Sequence, residues 1–356
     1  MPATREGPGS ELSVTTAGRT ERAAAAVVRA GEHRPPDWEP VRRLQLRAEG
    51  VASSTIEGLQ APLEEVAAVE LGRQEGEAAT WVAANLAVVA EALAEARTAP
   101  LSIETLHGWH ERLMRHDNRL PAEWVDGFRS ALGWVAGPTP LAAAFVPPPP
   151  ERVAALIDDL VRYANREDVD PITQAAVAHA QFETIPPYAD GNGRIGRVLV
   201  GWLLAGRLAV HAPSPVSLFM ARDRGGYLAG LTLFRAGQTD QWVAWFAEVV
   251  TRSSLAMVGV VDDVARLLDQ WALQLADTRA DAAAQRLLRL LPGLPLVSSS
   301  LVAERLGVSE RASRAALPLL GELGIPVPTD LPPAVAGPSR ALVAGRAGGA
   351  AGQPRS

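Results

Sequence analysis

The chain is 356 residues long, which leaves room for two or three domains and a sizeable core, and its net charge of −6 gives no overall attraction to nucleic acid. Having no cysteine, it has no disulfide, thiol chemistry or thiolate metal site, and its 6 histidines are too scattered to make a metal cluster. All 34 basic residues are arginine, so every basic contact stays charged at any accessible pH; beside the abundant Ala, Gly and Pro this usage reads as a coding bias. Apolar residues make up an ordinary 47%. No uninterrupted apolar run approaches the roughly 18 residues of a membrane span.

Residues 1–19 are polar and lack the basic start and apolar centre of a secretory signal, so they read as a flexible lead-in to a cytoplasmic protein. Helical periodicity then predicts helices over Ala23–Arg29, Val41–Ile56, Leu63–Glu70, Glu77–Ala96 and Ser102–Arg115. Ser102 is a candidate N-cap, and Pro100 and Pro121 mark loops on either side of that last helix. Residues 127–151 read as irregular and extended, with a bland Ala142-Ala143-Ala144 and a proline run from Pro147 to Pro150. Helices follow over Glu151–Asn165, Ile172–Ile185, Arg194–Leu208, Tyr227–Ala236 and Thr239–Leu275. After about Thr278 come Ala282–Leu291, Leu301–Leu306 and Glu310–Leu323, with Gly307-Val308-Ser309 as the turn of a helix-turn-helix outline. Pro318 is expected to interrupt the last of these. From residue 326 to 356, Pro, Gly and Ala dominate without alternation, which reads as a disordered tail.

The chemistry concentrates between Ile185 and Arg197, which reads Ile-Pro-Pro-Tyr-Ala-Asp-Gly-Asn-Gly-Arg-Ile-Gly-Arg. Asp170 and Pro171 are a cap and first turn for the helix before it, and Pro186 ends that helix because proline cannot continue the backbone ladder. Gly191, Asn192 and Gly193 then lead into a second helix, whose unpaired N–H groups and dipole make an anion site. Arg194 and Arg197, three apart on its first turn, can fork onto phosphate oxygens, and Asp190 suits a magnesium ion shared with a polyphosphate. Far upstream, Ser53 and Glu57 stand four apart on one helical face, and Gly58 suits the end of that helix.

Together with His179-Ala180-Gln181-Phe182-Glu183, this loop resembles the signature of the Fic family (filamentation induced by cyclic AMP), His-Pro-Phe-x-Asp-Gly-Asn-Gly-Arg-x-x-Arg. The resemblance implies a helical domain that transfers AMP from ATP to a protein hydroxyl. It places Asp190 on magnesium, Gly191, Asn192, Gly193 and Gly196 around the phosphates, and Arg194 and Arg197 on the distal phosphates. Ser53-x-x-x-Glu57-Gly58 resembles the family's inhibitory helix, in which Glu57 would pair with Arg197 and displace the γ-phosphate, within a chain or between chains of a homo-oligomer. Gly127-Phe128-Arg129, Trp134 to Gly137 and Phe145 to Glu151 resemble its flap, a β-hairpin that aligns a protein target by strand addition. Tyr227 and Leu228 fall where the family often has paired tyrosines near the adenine.

The departures carry as much information. Pro186 stands where the family has its general-base histidine, while Pro187 matches the family proline and Tyr188 replaces phenylalanine. A positioned base contributes about 10²- to 10⁴-fold, or roughly 3 to 5 kcal/mol of barrier. His179, two turns upstream, is expected to point into the domain. The expected organisation is mainly α: a lead-in (1–19), an N-terminal helical region with the inhibitory helix (20–98), a Fic core with a short β-hairpin flap (99–255), a connecting helix with a small helix-turn-helix-like domain (256–325), and the tail (326–356). A winged helix often follows Fic domains, but the wing's strands are missing here.

The best-fitting function is binding of ATP with Mg²⁺ by a Fic scaffold whose transfer chemistry is lost or severely impaired. An AMP transferase using another base is the first alternative. A transcriptional regulator that contacts DNA through residues 282–323, with the Fic core as its nucleotide sensor, is the second. No membrane association is expected.

Overall fold

A computed structural model of the chain describes residues 12–34, 38–117, 120–134, 139–143, 145–276, 282–325 and 327. The described residues are mainly α, in chain order α1 (Val14–Glu32), α2 (Trp38–Ile56), α3 (Leu63–Glu70), α4 (Glu77–Glu95), α5 (Ile103–Met114), α6 (Ala122–Val125), α7 (Val153–Ala164), α8 (Pro171–Thr184), α9 (Asn192–Arg207), α10 (Val216–Arg222), α11 (Arg224–Arg235), α12 (Thr239–Ala276), α13 (Ala282–Leu290), α14 (Ser299–Leu306) and α15 (Glu310–Glu322).

Helix α9 is apolar almost all round after its first turn, and it accordingly lies at the centre, against α8, α4, α2 and α5. Its neighbour α8 begins as a capped helix should: Asp170 accepts from the Thr173 N–H at 2.7 Å, and Pro171 takes the first position. The Trp242 indole of α12 donates to the Ala176 carbonyl at 2.8 Å, fixing α12 across α8. On the other side, Gly50 of α2 approaches α4 so closely that an added Cβ would lie 2.8 Å from Leu86 Cδ2. Asn85 of α4 reaches back to donate to the Gly50 carbonyl at 2.9 Å. These contacts fix α2 against α4.

One continuous core takes in Ala23 and Val27 of α1, Leu46 and Ile56 of α2, and the inward faces of α4, α5 and α7 to α12. The expected boundary at residue 98 is therefore not a boundary in packing. A second core runs from Leu275 through α13, α14 and α15 to Ile325, and α12 runs unbroken from the first core into the second. Helices α4 and α12 are long and apolar enough to cross a membrane by length and composition, and each packs along these cores, with 44% of the relevant window buried.

Several expectations are corrected. The lead-in read over 1–19 is helical from Val14, because Ser13 caps α1 and both Ser13 and Thr16 are tied to Asp240 at the start of α12. Pro318 does not interrupt α15, which continues through it while Ala316 and Leu320 hold it in the second core. Helices α6 and α10 lie where no helix was expected. The flap is not a hairpin among the described residues: Phe145 is an isolated bridge position, and 135–138 and 144 lie outside them. The tail read over 326–356 also lies outside them, apart from Val327, which packs against the second core.

Candidate functional site

The loop between α8 and α9 is held from three sides. Gly191 takes φ 79°, a left-handed conformation that favours glycine, and from there the chain enters α9. Asn192 closes the loop on itself: Tyr188 N–H donates to its Oδ1 at 2.8 Å, and its Nδ2 donates to the Tyr188 carbonyl at 2.8 Å. The Asn192 amide is thus engaged within the loop rather than directed at a ligand. Asp190 accepts from the Gly191 N–H at 2.7 Å.

Arg129, from the segment read as flap, is the second support. Its side chain donates to the carbonyls of Pro186 (2.8 Å), Ala131 (2.9 Å), Pro148 (2.6 Å) and Ile185 (3.3 Å), and its backbone N–H to that of Pro187 (2.8 Å). It is 8% exposed, and burial holds its pKa below the usual value. The third support is aromatic. His110 stacks on Tyr188 with ring centroids 3.8 Å apart and bonds to the Asp190 carbonyl at 3.0 Å, and burial lowers its pKa to about 4. The Tyr188 hydroxyl, absent from the family's phenylalanine, meets His107 Nδ1 at 3.3 Å.

Beyond the loop, α2 meets the first turn of α9. Arg197, with its side chain 1% exposed, donates from Nε to Ser53 Oγ (2.9 Å), and from Nη2 to the Ser53 carbonyl (2.8 Å) and to Glu57 Oε1 (2.7 Å). Its Nη1 is buried with no hydrogen-bond partner. A Cβ added at Gly193 would overlap Glu57 Oε1 and stand 3.0 Å from that Nη1. The Glu57 carboxylate therefore sits against the N-terminal turn of α9, where a helix favours an anion. Burial pushes the Glu57 pKa up, but the Arg197 charge and hydrogen bond, with help from Arg194, bring it below the ordinary carboxylate value. Burial alone would lower the Arg197 pKa, and the Glu57 charge reverses this so that it is raised.

The structure thus brings Ser53, Glu57, Gly193 and Arg197 together. Other residues singled out in the sequence have different principal contacts. Arg194 is buried against α5, its Nη2 3.8 Å from Met114 Sδ. Gly196 faces α8, where an added Cβ would lie 2.9 Å from Glu183 Oε1 and 3.1 Å from His179 Nδ1, so it serves helix packing. Tyr227 is buried among His179, Trp242 and Trp245, and its hydroxyl bonds to His179 Nε2 at 2.9 Å; Leu228 is 52% exposed on α11.

Three residues of this region were given no individual role from sequence. Besides Arg129 these are Glu183 and Glu49, the latter half-buried and accepting from the Ser217 N–H at 2.9 Å and from the Ser217 hydroxyl. Glu49, Ser53 and Glu57 follow at four-residue intervals on one face of α2, a spacing that was there to be read.

Among the described residues, the side chains closest in sequence to Pro186 that could take a proton are engaged elsewhere. Thr184 Oγ1 donates to the Ala180 carbonyl at 2.7 Å, the Tyr188 hydroxyl is engaged by His107, and His179 is fully buried on Tyr227.

Residues 100–204, the segment that carries this loop, match the model of the Fic/DOC family. The chain is 28% identical over 120 residues to protein adenylyltransferase fic-1 of Caenorhabditis elegans, covering 33% of this chain and 23% of that protein. It is 28% identical over 156 residues to protein adenylyltransferase Fic of Drosophila erecta, covering 43% and 28%. The match spans about a quarter of the length of these curated relatives. Among solved structures, a Fic family protein from Desulfovibrio desulfuricans superposes with a TM-score of 0.61 at 22% identity, over 89% of this chain and 91% of that one. Fic-1 of C. elegans superposes with a TM-score of 0.53 at 20% identity, over 69% and 72%. These likenesses establish the fold along most of the chain, and within it residues 100–204 match the Fic/DOC family.

Proposed function

We propose that this chain binds ATP with Mg²⁺ at the N-terminus of α9, is held closed by Glu57, and transfers AMP to a protein hydroxyl poorly or not at all because of Pro186. The observation that carries the reading is a carboxylate already seated against Gly193 and forked by Arg197. An anion fits that corner, and the buried Arg197 Nη1 remains to be paired by a further phosphate oxygen.

Among the described residues no group of three or more His, Asp or Glu side chains could hold a metal alone. A magnesium ion here would draw on nucleotide oxygens, with Asp190 as its protein carboxylate, a division usual for this hard ion. When bound, it neutralises charge between the phosphates and Asp190.

In the transfer for which the relatives are named, a protein hydroxyl attacks the α-phosphorus, pyrophosphate leaves, and the hydroxyl proton needs an acceptor. Pro186 offers none, and Arg129 holds its carbonyl. Loop, helix dipole and Arg197 can orient the nucleotide, but the proton step lacks its base. The segment from Gly127 to Glu151 is the proposed place for a protein target.

Titration calorimetry with Mg²⁺–ATP tests the binding half. Binding that Arg197→Ala abolishes is expected, and no binding by the Glu57→Gly protein would sink the reading.

A further inference from the structure

Behind the Arg197–Glu57 pair lies a second carboxyl that nothing above uses. Glu183 projects from α8 toward Gly196, and its Oε1 is buried without a hydrogen-bond partner. Arg197 Nη1, His179 Nδ1 and Arg235 Nε are buried and unpartnered as well. Leaving such atoms unpaired is costly, so a proton or an anion supplied here changes the energy more than it would at the surface.

The groups facing Glu183 come from each neighbouring element: Glu57 from the turn just after α2, His179 from α8 itself, Arg197 from α9, and Tyr227 and Arg235 from α11. Burial pushes the Glu183 pKa up to about 7, with Arg197 and Arg235 pulling it down and Glu57 pushing it further up. Burial and the Arg197 charge lower His179 to about 3, and burial raises Tyr227, so both stay neutral near pH 7 while Glu183 changes charge.

We propose that Glu183 is a proton-operated positioning residue for Arg197: protonated, it leaves the guanidinium to Glu57 or to a nucleotide phosphate; ionised, it takes a share of that charge and weakens either occupant. The proposal rests on the corner of Gly193 and Arg197 being a phosphate site. Linkage makes the coupling reciprocal, so a bound anion favours protonated Glu183, and ionised Glu183 disfavours the anion. Glu57 and phosphate are both anions, so exchanging one for the other hides most of the effect in the parent protein. Removing Glu57 reveals it.

The test is calorimetry of Mg²⁺–ATP binding to the full chain carrying Glu57→Gly, with and without Glu183→Gln, from about pH 6 to about pH 8.5. The single variant should lose affinity roughly fivefold or more across that range, and the double variant should stay nearly flat. In parallel, Tm is followed without nucleotide in the parent and in Glu183→Gln. A carboxyl whose folded pKa is raised gives stability that is present below its unfolded pKa and lost as pH rises toward the folded one. The parent should therefore lose ground against Glu183→Gln from about pH 4.5 to about pH 7 and hold a constant gap above. Equal ATP slopes in the two backgrounds overturn the proposal. If Glu57→Gly binds no ATP at any pH, the nucleotide reading falls instead; parallel Tm profiles would then remove the proton-operated carboxyl too, and diverging ones would support it.

Discussion

Replacing Glu57 by glycine is expected to act in opposite directions on stability and on nucleotide affinity. The Arg197–Glu57 bond is charge-assisted at 2.7 Å, with the arginine side chain 1% and the glutamate 39% exposed. A hydrogen bond to a charged group contributes about 1.5 to 3 kcal/mol, and the exposed half of this pair is screened, so about 1 to 2 kcal/mol is the reasonable range. Arg197 would keep Ser53 Oγ at 2.9 Å and the Ser53 carbonyl at 2.8 Å, which limits the loss of fold stability to a similar figure. Tm should fall by a few degrees, about 2 to 4 °C per kcal/mol in a domain of this size class. ATP no longer has to displace the carboxylate, so the same energy appears as about a 5- to 30-fold gain in affinity. Scanning calorimetry and titration calorimetry on one preparation measure both. Unchanged ATP affinity and nucleotide pose would refute the pairing of Glu57 with the phosphate corner, whatever happened to Tm.

Other consequences can be checked separately. Gly193→Ala places a methyl where Glu57 Oε1 now sits, so it should open the pair yet fail to gain ATP affinity, in contrast to Glu57→Gly. Arg129→Ala strips four carbonyls of their donor and should cost about 2 to 4 kcal/mol in urea denaturation, together with loss of ATP binding as the loop loosens. His110 and His179 are held neutral with pKa values near 4 and 3, mainly by burial. Their contribution is fully present above their unfolded pKa and lost as pH falls toward the folded values. Stability should drop by about 2 kcal/mol per histidine between about pH 6.5 and about pH 5, and a flat denaturation profile there would contradict the assignment.

Much of this arrangement is legible in the sequence because local signals agree with the fold. Helix α3 spans Leu63–Glu70 as its periodicity predicts, and Asp170-Pro171 and Pro186 bracket α8 to within two residues. The anion-binding character proposed for the loop rests on glycines before a helix, which the sequence shows directly. What escaped the sequence depends on partners far along the chain. Helix α1 begins early because Asp240, 227 residues away, accepts from Ser13. Pro318 is carried through α15 by packing against the second core, which outweighs the local cost of a missing N–H. Arg129 looks like one flap residue until its carbonyl partners are seen, and Glu183 looks like an ordinary helix glutamate until Gly196 approaches it. Asn192 and Gly196 match the signature, but here their contacts are with the loop and with α8.

The central claim is that the scaffold lacks one proton acceptor, and AMP transfer from α-labelled ATP tests it most directly. The comparison takes the parent chain, Pro186→His, and Pro186→His with Glu57→Gly. No labelled protein is expected from the parent, and labelling should appear with histidine restored and be strongest in the double variant, by a factor of about 10² or more over Glu57→Gly alone. Robust labelling by the Glu57→Gly protein with Pro186 in place would contradict the account.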